Sequence, residues 1–119
     1  MRKLVVKAMC GSNDPERAAQ AFTVASTAAI SGFYISLWLT SEATMFGLPG
    51  VCEGFTLPHS APLSELRDLI LAAGTIKVCT QCAQRRGITE ADLIPGITIA
   101  GSTSFVEEIM NDAVQVVVY

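Results

Sequence analysis

The sequence is short of charge. Only 16% of its 119 residues are Asp, Glu, Lys or Arg, against about 25% in an ordinary soluble domain. The 24 residues from Ala18 to Ser41 carry none at all. Histidine occurs once, as His59, and tryptophan once, as Trp38. Each scarcity excludes something. With a single histidine, nothing supports a Ser-His-Asp system. Neither GxGxxG nor GxxxxGK[ST] occurs, so nucleotide binding is not indicated. A net charge of −3 argues against nucleic acid or an anionic membrane as the main partner. The other half of the balance is apolar: 50% of residues are hydrophobic, which excludes disorder.

The uncharged stretch is long enough to span a bilayer. Its composition points elsewhere. Seven of the 24 residues are Ser or Thr, many are Ala, and Gly32 divides two different patterns. An Ala-rich run precedes Gly32, and the aromatic and β-branched run FYISLWL follows it. That order reads as helix, stop, strand. The opening LVVKAM is broken by Lys7 and lacks a small-residue cleavage site, so no secretory leader is expected. The expected location is cytoplasmic, with no membrane partner.

Strands alternate with helices along the chain. Leu4–Met9 reads as a first strand, and CGSND as a loop that could hold an anion at a helix start. Asp14, Pro15 and Glu16 open a helix to about Ile30. Phe33–Leu39 is a second strand. SEATMFG suits a short helix, and the Pro- and Gly-punctuated LPGVCEGFTLP an ordered loop. A helix follows Pro62, with Leu63, Leu66, Leu69 and Ile70 inward, and Gly74 stops it. Thr75–Cys79 is a strand, and CTQCAQRRG a two-turn helix ended by Gly87. Thr89 and Asp92 resemble a capping box for a short helix, and Ser104 with Glu107 form a second such pattern opening a helix to about Asn111. Ile97–Ala100 and Val114–Tyr119 are strands. This alternation implies an α/β fold: a parallel sheet with helices on both faces. Neither repeat nor linker divides it, so residues 1–119 are expected to form one domain.

Four cysteines stand at 10, 52, 79 and 82. Without a leader, redox, sulfur or metal chemistry is a better expectation than disulfide staples. A free cysteine is also a small buried hydrophobe, and that reading stays open for Cys10 and Cys52. Cys79 differs by position. It stands where a strand passes into a helix, and open parallel sheets gather functional groups at such carboxyl ends. A helix start also favours the thiolate, the reactive species. Cys79 is therefore the candidate nucleophile. Cys82, one turn later, could resolve a mixed disulfide or share a metal. Arg85 and Arg86 lie about 10 Å further along the axis at 1.5 Å per residue, where they suit the negative helix end. Arg86 could alternatively meet a partner's carboxylate. His59 reads as a surface or capping residue, with a ligand or base role as the alternative. Glu42 and Glu53 read as solvated loop acids or site carboxylates.

These residues resemble the DsrE/DsrF-like proteins, which include the TusD-type sulfur carriers. The matching pieces are DPERAAQAF, the Gly before FYISLWLTSEA, LSELRDLILAAG, IKVCTQCAQRRGITEADL and GITIAGSTSFVEEIM ahead of a terminal apolar strand. The resemblance implies a three-layer α/β/α domain with a five-stranded, mainly parallel sheet. It implies homo-oligomers, commonly trimers or hexamers, and a persulfide at the position of Cys79. Cys82 is not part of the carrier pattern, and LPGVCEGFTLPHSAP matches no family motif.

The leading expectation is a small sulfur-handling protein, a sulfurtransferase-like relay. Cys79 would accept sulfane sulfur from a donor protein and pass it to an acceptor, with Cys82 as the accessory thiol. No cofactor is expected. One alternative is a metal or small-ligand site in which Cys10, Cys52 or His59 joins Cys79 and Cys82. It lacks the second CxxC that zinc sites commonly use. Another is a non-catalytic subunit of an oligomer. The low charge content itself points to a broad apolar subunit interface.

Overall fold

The computed structural model describes residues 2–119. Five strands form one sheet: β1 (Lys3–Ala8), β2 (Tyr34–Leu39), β3 (Gly74–Cys79), β4 (Ile97–Ala100) and β5 (Val114–Val118). Their order is β4-β3-β2-β1-β5, and every neighbouring pair is parallel. The helices are α1 (Pro15–Ile30), α2 (Val51–Gly54), α3 (Leu63–Ala73), α4 (Thr80–Arg85) and α5 (Ser102–Ile109). Two 3-10 turns, Ser41–Gly47 and Glu90–Asp92, complete the elements.

The chain steps across the sheet in one direction from β1 to β4. Right-handed crossovers therefore put α1, α3 and α4 on one face. The return from β4 to β5 reverses direction and puts α5 on the other. Side-chain alternation agrees. Val6, Ala8, Ile35, Leu37, Leu39, Ile76, Val78 and Ile97 point toward α1 and α3 and are buried there with Phe22, Ala25, Leu63 and Ile70. The opposite face is more polar. In register across β1, β2 and β3 it presents Lys3, Lys7, Ser36, Trp38, Thr75 and Lys77. The short α5 is its one helix.

Local chemistry explains the element ends. The Asp14 carboxylate accepts the Arg17 N–H, Pro15 takes the first helical position, and Gly32 turns out of α1 at φ +89°. The uncharged stretch thus divides into α1 and β2, and among the described residues no helix is long and apolar enough to cross a membrane. Thr89 and Asp92 do form a capping box.

Four expectations change. Gly74 does cap α3, as expected, but it also begins β3 one residue early, and a Cβ there would lie 1.8 Å from the Ile35 carbonyl oxygen of the neighbouring strand. Leu69 is 42% exposed. At about 100° per residue it falls well outside the Leu63–Leu66–Ile70 stripe, which Arg67 joins instead. Ser104 does not cap α5: the chain turns at Gly101, directly after β4, and the helix starts at Ser102 without a side-chain cap. The loop after Leu48 contains a helical turn, α2, held by Glu53. That carboxylate takes both Arg67 Nη1 and Nη2, at 3.2 and 3.0 Å.

Candidate functional site

The carboxyl edge of the sheet carries the two CxxC sulfurs. Cys79 is the last residue of β3 and the N-cap of α4, with extended backbone at φ −62°, ψ 130°. It is half-buried. Cys82 lies one turn on and is buried, with its sulfur accepting the Ser41 N–H at 3.2 Å. The Cys79 side chain is the neighbouring thiol that favours the Cys82 thiolate. Burial alone would raise the Cys82 pKa. The Ser41 amide, the Cys79 thiol and the charges of Arg85 and Arg86 outweigh it, so Cys82 titrates below an ordinary thiol.

The stabilised sulfur is thus Cys82, whereas the position of Cys79 at a helix start pointed to the other one. At six residues, α4 is short, and the donor that matters arrives from the β2 connection. Ser41 was not singled out in the sequence. It is a non-glycine residue at φ +52°, a conformation held by its surroundings. Glu42, next to it, pairs with Arg86 at 2.9 Å. The other Arg86 nitrogen donates to the Cys82 carbonyl oxygen at 3.1 Å. Arg86 therefore serves the end of α4, as its spacing suggested, and also ties that helix to the β2 connection. The loop after β1 closes against the same place: a Cβ on Gly11 would lie 2.7 Å from the Glu42 carbonyl oxygen. Glu42 and Glu53 are both exposed, as solvated acids would be. Each is paired with an arginine.

The other candidates lie apart. Cys52 belongs to the apolar core, 3.6 Å from the Phe46 carbonyl oxygen, and burial pushes its thiol up to about 11 despite the Arg67 charge nearby. It is the small buried hydrophobe. Cys10 follows β1, and β2 separates that strand from β3. Two strand spacings are about 10 Å, too far for a bridge to Cys79 without movement. All four cysteines are free. His59 is exposed, at φ +62°, beside a cleft lined by Glu16, Gln20, Leu57 and Leu66. Among the described residues, no group of three or more His, Cys, Asp or Glu side chains could hold a metal ion. That removes the geometric basis for joining Cys10, Cys52 or His59 to the CxxC pair. The CGSND loop does not suit an anion either. Asn13 occupies the Gly11 N–H, and Asp14 and Glu16 line the adjoining cleft.

A second polar centre lies under α5 on the opposite face. Glu108, with 8% side-chain exposure, accepts Ser36 Oγ at 2.9 Å and Trp38 Nε1 at 2.7 Å. It pairs with Lys3 and, at 3.6 Å, with Lys77. A cleft of about 510 Å³ adjoins it. The alternation of Ser36, Trp38 and Lys77 with apolar neighbours was the available sequence signal for it.

A parallel sheet covered on both faces, with a thiol pair at the carboxyl end of one strand, defines a small α/β thiol protein. The chain belongs to the DsrE/DsrF-like family, whose pattern matches residues 3–119. That family is associated with sulfur relay. Among its relatives is protein MJ0760 of Methanocaldococcus jannaschii, 30% identical over 96 residues, which are 80% of this chain and 35% of that one. The chain thus spans about a third of that relative's length. Protein MK0008 of Methanopyrus kandleri is 30% identical over 71% of this chain and 68% of its own. Protein MJ0989 of M. jannaschii is 31% identical over 71% and 72%. The crystal structure of the YchN protein of E. coli superposes with a TM-score of 0.81 at 21% identity, covering 100% of both chains. MTH1491 of Methanobacterium thermoautotrophicum gives 0.75 at 9% identity, again over 100% of both. These structures share the three-layer fold.

Proposed function

We propose that the chain, as a single domain, is a sulfur-relay protein that carries sulfane sulfur as a persulfide on Cys79 and hands it to a partner protein. The observation that carries this is the paired sulfurs at the carboxyl edge of β3. Cys79 is the reachable member, and Cys82, one turn on, has a sulfur that the Ser41 N–H favours as thiolate. Cys82 takes the Cys79 proton as Cys79 attacks the outer sulfur of a donor persulfide. The donor S–S bond breaks, and the donor leaves as a thiol once protonated. An acceptor thiolate then takes the outer sulfur by the same exchange. No metal or cofactor enters these steps. A reducing compartment such as the cytoplasm suits four unpaired thiols.

The test is peptide mass spectrometry after incubation with a persulfide donor. Wild type gains the mass of one sulfur atom at Cys79, and Cys79→Ser gains none there. If neither the wild type nor Cys82→Ser ever acquires sulfur at Cys79, the proposal is removed.

A further inference from the structure

The two thiols of the pair are unequal in access. Cys79 is half-buried, and a donor or acceptor can reach it. Cys82 is 8% exposed, so the reagent best placed to meet its sulfur is whatever Cys79 carries. The Ser41 N–H holds that sulfur at 3.2 Å, and Arg86 fixes the turn beneath it by donating to the Cys82 carbonyl oxygen. Side chains three apart on a helix have Cβ atoms about 5–6 Å apart. A disulfide needs about 3.5–4.5 Å. Cys79 is not bound to that helical spacing, because it stands outside the helix proper on extended backbone.

We infer that Cys82 discharges the Cys79 persulfide, releasing hydrosulfide and leaving a Cys79–Cys82 disulfide. The inference rests on the persulfide reading above. The Cys82 thiolate attacks the inner sulfur, Sγ of Cys79. The bond between that sulfur and the outer one breaks, and the outer sulfur leaves with the electron pair and its proton as HS⁻. The sulfane sulfur is reduced by two electrons, and the two cysteine sulfurs together are oxidised by two. A dithiol reductant must then open the disulfide before the next load. The chain would thus have two outlets for its sulfur. An acceptor thiol takes the outer sulfur when one is docked. Otherwise Cys82 empties the site.

The full chain is loaded with inorganic polysulfide, freed of excess reagent by gel filtration, and held at neutral pH without reductant. Hydrosulfide is followed in solution. The tryptic peptide Val78–Arg85, which holds both cysteines and neither Cys10 nor Cys52, is weighed. Wild type is expected to release hydrosulfide while this peptide exchanges its extra sulfur for the loss of two hydrogens. Cys82→Ser should keep the sulfur on Cys79 and release hydrosulfide about tenfold more slowly or less. Cys82→Ala, with circular dichroism on both variants, guards against a folding defect. Equal release from wild type and both folded variants overturns the inference. So does a wild type that retains its persulfide with no disulfide. If no protein ever gains sulfur at Cys79, the underlying relay reading has failed, and this inference falls with it.

Discussion

Two of the four thiols titrate in opposite directions. Cys52 is pushed up to about 11 by burial. Its neutral form stabilises the fold fully below the ordinary thiol value of 9.0, and that contribution fades as pH climbs toward about 11. Cys82 lies below 9.0, because its hydrogen bonds and the nearby arginines outweigh burial. Its contribution is full above 9.0 and fades as pH falls through the folded-state value. Iodoacetamide at mildly alkaline pH should therefore modify Cys79 well before Cys52, which should react only once denaturant opens the core. Peptide mass mapping decides it, and early labelling of Cys52 would contradict its placement. The CxxC pair was legible in the sequence, since spacing alone puts two sulfurs on one turn. The order of thiolate character was not. It depends on Ser41, 41 residues away from Cys82, whose positive φ no local pattern announces.

Among the elements, α5 is the one whose attachment is least ordinary. It buries no residue fully and is fixed to the polar face by the Glu108 carboxylate and by Phe105, edge-on to Trp38. Burial would raise the Glu108 pKa, but the Lys3, Trp38 and Ser36 hydrogen bonds and the Lys77 charge hold it below the usual value of 4.5. Glu108→Gln should cost about 1–3 kcal/mol at neutral pH, since it strips the partner from two lysines. The wild-type advantage is full above 4.5 and shrinks as pH falls through the folded-state pKa. Urea unfolding across that range measures the gap between the two proteins, which should narrow on acidification. The α1 boundaries were readable because Asp14, Pro15 and Gly32 act locally. The start of α5 was not, because the exit geometry of β4 decides it. Leu69 misled for a related reason: a buried arginine took the position in the stripe that an apolar residue normally fills.

For the whole molecule, the low charge content has a partial structural account. The face under α1 and α3 absorbs much of the apolar surface, but a band on the other side stays open. Val106 on α5 is 52% exposed, Met110 just past its end 74%, and Val118 and Val116 on the edge strand β5 58% and 37%. Further copies of the chain are the expected cover. Light scattering coupled to size exclusion should find an oligomer. Replacing both Val118 and Met110 by Asp should shift it to a smaller species without unfolding it. A wild type that elutes as one chain at micromolar concentration would count against this assembly. The parallel topology was foreseeable from the alternation of helix and strand. The open band was not, because periodicity says which side chains share a face and nothing about how much of that face a helix covers.

The contact between Ser41 and Cys82 has one more consequence. The segment CTQC is contiguous, but its chemistry is not. The amide that favours the Cys82 thiolate comes from the connection after β2, which in turn leans on the loop after β1 through Gly11 and on α4 through Glu42 and Arg86. Three successive crossovers must be in place before the pair acquires its reactivity. A nascent or partly unfolded chain has the same cysteines without the Ser41 amide, so the lowered pKa of Cys82 belongs to the finished fold and not to the CTQC segment by itself.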